Sequence, residues 1–286
     1  MIADKDRLAP GLYIVATPIG TARDITLRSL DILSKADVLA AEDTRSLKRL
    51  MDIHGISVRD RPFVSYHDHN GHRIRPKLLA NINEGKSVVY ASDAGTPLVA
   101  DPGYDLTRAV IEAGHGLISA PGPSAVITAL TVAGLPTDQF FFSGFLPSTL
   151  SKRKTALRAL IDVPGTLVFY ESPRRIAAML RDASEVLGAA RHAALCRELT
   201  KKFEEVLRGS LGELAEICEA RSLKGEIVVL VERGMKEQLS EEELDAALTE
   251  ALLTLSVRDA ADQVAKRFAL KRRQVYQRAL HLSQDT

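Results

Sequence analysis

Five times between residues 11 and 133 a short apolar run is followed by a stretch of helical periodicity, and this alternation constrains the fold more than any other feature. "GLYIVATPI" leads into "TLRSLDILSKA", "DVLAAED" into "TRSLKRLMDIHG", "FVSYH" into "RIRPKLLANINEG", "SVVYASD" into "YDLTRAVIEAG", and "GLISAPG" into "SAVITALTVAGL". Runs of four to seven apolar residues without a period of two are strands buried on both faces, so a mostly parallel sheet covered by helices is expected. This first α/β domain spans 1–136.

A less regular pattern follows. "FFFSGFLPSTLSKRKT" reads as a crossing that contains Pro and Ser and a basic cluster. "GTLVFYES", "HAALCREL", "FEEVLRGS" and "GEIVVLVE" read as strands, and "PRRIAAMLRDASEVLG" and "LGELAEICEA" as helices. Two consecutive strands without an intervening helix imply a mixed sheet. The second domain, α+β in character, spans 137–234. The remainder, 235–286, is helical in pattern. Ser240 with Glu243 has capping-box spacing, and Ser256 is a second cap. Between residues 256 and 282 the seven cations Arg258, Lys266, Arg267, Lys271, Arg272, Arg273 and Arg278 face only Asp259 and Asp262. Two short helices with a basic turn suit a helix-turn-helix on nucleic acid, or a solvated basic hairpin.

The formal charge of +1 over 286 residues gives no global case for nucleic acid, so only a local basic face could bind it. Cys196 and Cys218 form neither a CxxC pair nor a zinc spacing, which suits a reducing compartment. No run reaches the roughly 18 apolar residues of a membrane span, and the charged N-terminus does not read as a signal peptide. A cytoplasmic protein without membrane attachment is expected.

Motifs narrow the chemistry. "EGKS" at 84–87 precedes a strand, lacks the first glycine of a phosphate loop, and reads as a turn; there is no GxGxxG and no G-x-S-x-G. His67, Asp68, His69 and His72 could ligate a metal, but no second cluster completes a site, so no metal is expected. Strand ends are more informative. Pro18 and Gly20, then Glu42, Asp43 and Arg45, then the loop "SDAGTPLVADPG", then Ser124 in "APGPSAV" converge on one crevice, where ligands sit in parallel sheets. Asp93 and Asp101 bracket the loop. Carboxylates repel a phosphate, so the loop suits hydroxyls or a cation.

These residues resemble the tetrapyrrole (corrin/porphyrin) methylase superfamily and, within it, the branch that methylates ribose 2'-oxygens of small-subunit ribosomal RNA. The resemblance is carried by residues 12–45, "SYHDHN" (65–70), "SDAGTPLVADPG" (92–103), "PGPSAVITAL" (121–130), "FFFSGFLP" (140–147), "ESPRRI" (171–176), "CRELTKKFEE" (196–205) and "KGEIVVLVE" (224–232). It implies two α/β domains with S-adenosylmethionine in the cleft between them, a small C-terminal helical domain, a homodimer, and a cytidine of 16S ribosomal RNA in the small subunit as substrate. Carried over by position, the cofactor-binding residues are Pro18, Asp93, Ala94, Gly95, Leu98, Ser124, Ala125, Tyr170 and Glu226. Where tetrapyrrole enzymes carry Gly-Asp-Pro, this chain has Ser92-Asp93-Ala94-Gly95, so individual contacts differ. The cofactor has no phosphate and carries a sulfonium, an ammonium and ribose hydroxyls, which suits the aspartate-bracketed loop.

The implied reaction is an in-line displacement at the methyl carbon, for which alignment is the main contribution. Glu42, Asp43 and Glu171 each end a strand and are candidates to take the hydroxyl proton; each could equally cap a helix or pair with an arginine. Arg45, Lys152, Arg153, Arg174, Arg175, Arg272 and Arg273 are candidates to hold RNA phosphates. The alternatives are methylation of a small tetrapyrrole and a non-catalytic RNA-binding protein on the same fold.

Overall fold

The structure is a computed structural model that describes residues 7–234, 241–268, 270 and 272–284. Ser240 and Lys271 lie outside these residues. The chain divides into two compact units, 1–234 and 235–286.

The first sheet has five parallel strands, β1 (Gly11–Val15), β2 (Val38–Ala41), β3 (Phe63–Ser65), β4 (Ser87–Ala91) and β5 (Leu117–Ala120), in the order β3-β2-β4-β1-β5. Alternate residues serve opposite faces. Tyr13, Val15, Leu39, Val89 and Ala91 pack under α1 (Leu27–Lys35) and α2 (Thr44–Ile53) with Ile32, Leu33, Leu47 and Met51. Leu12, Ile14, Val38, Ala40, Val88 and Tyr90 pack against α3 (Gly71–Asn83) and α4 (Tyr104–Glu112) with Leu78, Ile82, Leu106 and Val110. Burial on both faces is why these strands read as unbroken apolar runs.

The second sheet is mixed, as expected. It comprises β6 (Phe140–Phe145), β7 (Thr166–Glu171), β8 (His192–Arg197), β9 (Glu205–Ser210) and β10 (Ile227–Val231), in the order β6-β7-β10-β8-β9. One face is covered by α6 (Leu150–Arg158), α7 (Ile176–Leu187) and α8 (Leu211–Ala220). Two features differ from the sequence reading. The segment read as a crossing is β6 followed by α6; β6 is an edge strand bulged between Phe142 and Gly144, so it shows neither a buried run nor clean alternation. The helix α5 (Ala125–Ala133), which precedes residue 136, lays Val126, Ala129, Leu130 and Ala133 on Val168, Ala194, Val228 and Leu230 of the second sheet.

In the second unit α9 (Glu241–Leu252), α10 (Val257–Phe268) and α11 (Arg272–Gln284) enclose Leu248, Ala261, Val264, Ala265, Val275 and Ala279. Ser256 caps α10: its Oγ accepts from Asp259 N at 3.2 Å. Arg272 is paired with Asp262, whereas Arg273 is exposed.

Gly103 is the residue of the β4–α4 loop at which an added side chain would meet the closest contact. Its φ is +124°, and an added Cβ would lie 2.7 Å from Cε1 of Tyr90, a fully buried ring whose hydroxyl donates to Pro102 O at 3.0 Å. Gly103→Ala is therefore expected to cost about 2–4 kcal/mol, combining a strained φ with overpacking. Urea unfolding measures it, and a loss below ~0.5 kcal/mol, the range of ordinary surface changes, would show that the loop relaxes.

Candidate active site

The C-terminal ends of β1, β2 and β4, the loop after β5, and the ends of β7 and β10 surround a cleft of about 400 Å³. Polar groups come from Glu42, Asp93, Asp101, Glu171, Ser124 and Glu226, and the walls from Ile19, Val99, Tyr170 and Val228. The loop after β4 is strapped from several sides. Thr17 and Gly95 exchange two backbone hydrogen bonds of 2.9 and 3.0 Å, Thr96 Oγ1 donates to Pro123 O at 2.9 Å, and Ser92 Oγ donates to Gly95 O at 3.3 Å. Held this way, Leu98 and Ala100 sit at φ +73° and +60°, a strain that persists only where the surroundings over-determine the backbone.

The opposite wall is aromatic and acidic. Tyr170 meets Phe142 and Phe145 edge-on, with ring centroids 4.9 and 5.6 Å apart. Lys201 Nζ donates to Glu198 Oε1 and Glu226 Oε2, both at 2.8 Å, and so holds the loop between β8 and β9 against the strand leading into β10.

Among the described residues no Lys, Arg or His lines the cleft. Burial, then the charge of Glu42, pushes the Asp101 carboxyl up to about 6 against the opposing Ser92 hydroxyl. Glu42 is raised by burial and then by Asp93, and Asp93 by burial and then by Asp43, against the amide of Asp43. Tyr170 is pushed up to about 12 by burial, then by Asp101 and Glu226. Carboxylates that disfavour one another's ionisation leave a field suited to a cation.

The structure brings together Glu42, Asp93, Ala94, Gly95, Ser124, Ala125, Tyr170, Glu171 and Glu226 of the expected site. Pro18 instead lines a smaller neighbouring pocket, and the Leu98 side chain packs into the first-sheet core near Gly103. Asp43 does not line the cleft. It caps α2 by accepting from Arg45 N at 2.8 Å, and the Arg45 guanidinium holds its carboxyl down to about 2, which makes it a weak proton acceptor. Glu171 is buried, with Oε1 accepting from Ser172 N at 2.7 Å and Oε2 3.1 Å from Arg175. Asp101, noted in sequence only as the far bracket of the loop, lines the cleft, as do Thr96, Phe145 and Gly225, which lie within the quoted motifs but are not singled out there as site residues.

The expected RNA-facing cations divide. Lys152 and Arg174 are exposed, and Arg45 is bound to Asp43. Arg153 is turned inward onto Asp182, and Arg175 donates to the carbonyl of Leu146; both charges are used internally, beside the second sheet, contrary to the surface role read from the basic cluster. The metal reading of His67, Asp68, His69 and His72 finds no support: among the described residues no group of three or more His, Cys, Asp or Glu is placed to hold a metal ion.

Two α/β sheets, one parallel and one mixed, with an acidic cleft at their strand ends, define the class of protein. Residues 11–215 match the Tetrapyrrole (Corrin/Porphyrin) Methylases, and the chain belongs to that family. Residues 238–283 match the RsmI C-terminal HTH domain. The chain is 46% identical over 278 residues to the ribosomal RNA small subunit methyltransferase I of Mesorhizobium japonicum, covering 96% of this chain and 93% of that one. It is 44% identical over 273 residues to the protein of the same name from Escherichia coli O157:H7, covering 94% of each. Among solved structures, uroporphyrin-III C-methyltransferase from Thermus thermophilus complexed with S-adenosyl homocysteine shares the fold, with a TM-score of 0.55, 19% identity, and coverage of 77% of this chain and 96% of that one.

Proposed function

We propose that the chain transfers a methyl group from S-adenosylmethionine to the 2'-oxygen of a cytidine in the 16S RNA of the small ribosomal subunit, acting as a cytoplasmic homodimer. The cation-free, carboxylate-lined cleft, in a chain similar over almost its whole length to ribosomal RNA methyltransferases, carries this reading.

The cleft fits the donor by charge. Asp93 and Asp101 would face its cationic groups and hydroxyls, with Glu226 already paired with Lys201 at the edge, while Ile19, Val99, Tyr170 and Val228 supply apolar walls for a flat base. Bound there, S-adenosylmethionine supplies a methyl group already activated by the sulfonium. The protein's own part is alignment and proton removal. Glu42 borders the cleft with no ion-pair partner among the described residues and is the candidate that remains as proton acceptor, since Asp43 is committed to its cap and Glu171 is paired with Arg175. The same acidity disfavours a tetrapyrrole, whose peripheral carboxylates would meet a wall of like charge.

The test is transfer of a labelled methyl group to small ribosomal subunits from cells lacking this protein, with nuclease digestion to locate it. Label on a cytidine ribose is the expected result. Cofactor binding without incorporation would sink the ribosomal substrate.

A further inference from the structure

On the far side of the Thr17–Gly20 loop lies a second, smaller pocket of about 210 Å³. The loop is the wall between the two: Ile19 faces the cleft, whereas Thr17, Pro18 and Gly20 face the pocket. The paired hydrogen bonds between Thr17 and Gly95 fix that wall, and Asp93, largely exposed at its rim, is the one residue common to both linings.

The two compartments differ in chemistry. Where the cleft, among the described residues, presents carboxylates and no cation, the pocket presents the exposed side chains of Arg49 and Ser46, while the buried Thr17 and Ser92 hydroxyls in its lining donate to the carbonyls of Ser92 and Gly95. Lys48 precedes it on the same helix; Lys48 and Arg49 are exposed, and neither has an ion-pair partner among the described residues. Across the wall, the amide of Thr21 donates to Thr200 Oγ1 at 3.1 Å, which holds the loop between β8 and β9 beside the pocket. Three residues further on, Phe203 is 64% exposed with Lys202 Nζ 5.5 Å above its ring. An exposed aromatic beneath a cation is a surface on which an unstacked base settles.

We propose that this pocket receives the acceptor nucleotide of the RNA, with Arg49 and Lys48 holding the flanking phosphates and the ribose 2'-oxygen reaching the cleft over Asp93. The assignment rests on the ribosomal RNA reading above. A polyanion cannot approach through the carboxylate-lined cleft, so donor and acceptor enter from sides of opposite charge. In the transfer the 2'-oxygen bonds to the methyl carbon, the carbon–sulfur bond breaks with its electron pair left on sulfur, and the hydroxyl proton passes to a cleft carboxylate.

The test compares wild type, the double variant Lys48→Ala/Arg49→Ala, and Ser46→Trp, which fills the pocket. Methyl transfer to unmodified small subunits and calorimetric binding of S-adenosylmethionine are measured for each. The double variant is expected to raise the KM for subunits by about tenfold or more and to flatten its salt dependence by about two charges. Ser46→Trp should lower transfer at least as far, with cofactor affinity in both variants within about twofold of wild type. Retained transfer in both variants, or cofactor affinity falling in parallel with transfer, would overturn the assignment. A wild-type protein that binds cofactor but methylates no subunit would overturn the ribosomal reading, and this assignment with it.

Discussion

Arg153→Met is expected to lower the folding free energy by about 3–5 kcal/mol, the usual result of leaving one member of a buried ion pair alone. Both partners are nearly inaccessible, Arg153 at 5% and Asp182 at 4%. The guanidinium donates from Nε to Asp182 Oδ2 at 2.6 Å and from Nη1 to Ser148 O at 3.1 Å, and so joins α6 to α7. Removing the arginine strands the Asp182 carboxylate among Leu157, Met179 and Ala183 of the second core. The cost lies in that stranded charge, so Arg153→Met/Asp182→Ala should recover at least half of the loss in a denaturant titration. If the double variant were as unstable as the single one, packing around the arginine stem would be the dominant contribution instead. The single variant also tests the site. Assayed where it is folded, it should leave the salt dependence of RNA binding unchanged, because a charge neutralised inside the domain releases no counterions from RNA.

That arginine illustrates which parts of the molecule are legible in sequence. "SKRKT" looks like a solvated charge run, yet Arg153 stands four residues before Leu157 and shares its buried face, so helical spacing carried the signal that charge obscured. The first sheet was readable because Leu12 to Val15, Val38 to Ala41 and Val88 to Ala91 are buried on both faces, and double burial writes itself as an apolar run. The edge strand β6 was not. Phe140, Phe141 and Phe145 stay exposed and Gly144 breaks the register, so neither periodicity appears. In α5, apolar residues surround the whole helix, and the pattern could not tell which sheet it would join. The site divides in the same way. Strand ends marked Glu42, Asp93 and Ser124, because topology places such positions at the crevice. Asp101 gains its role from the depth of a folded loop, and the smaller pocket from a wall only four residues long; neither is a property of local spacing.

The depth of Asp101 has a measurable consequence for cofactor binding. A carboxyl that titrates at about 6 in the empty cleft is largely protonated at pH 5 and largely ionised at pH 7.5. A cationic ligand binds the ionised form, so its affinity should rise with pH through that window. If the complex holds the carboxyl ionised down to its ordinary range, the gain from pH 5 to 7.5 is about tenfold, and binding at pH 5 to 6 releases a proton. The empty fold behaves in the opposite sense. A pKa raised above its unfolded value contributes stability that is fully present below about 4 and lost as pH rises through about 6, so the unliganded protein gains from mild acid while the liganded one does not. Asp101→Asn removes the titrating charge without changing the shape of the side chain. At pH 7.5 it should bind S-adenosylmethionine about a hundredfold more weakly than wild type, the preference for the ionised form that a carboxyl moved from about 6 to about 4 on binding implies, with a pH profile flattened between 5 and 7.5. Calorimetry in buffers of different ionisation enthalpy reads both the affinity and the proton release. If wild-type affinity did not vary across this range, Asp101 would not face the cation, and the charge complementarity of the cleft would rest on Asp93 and Glu42.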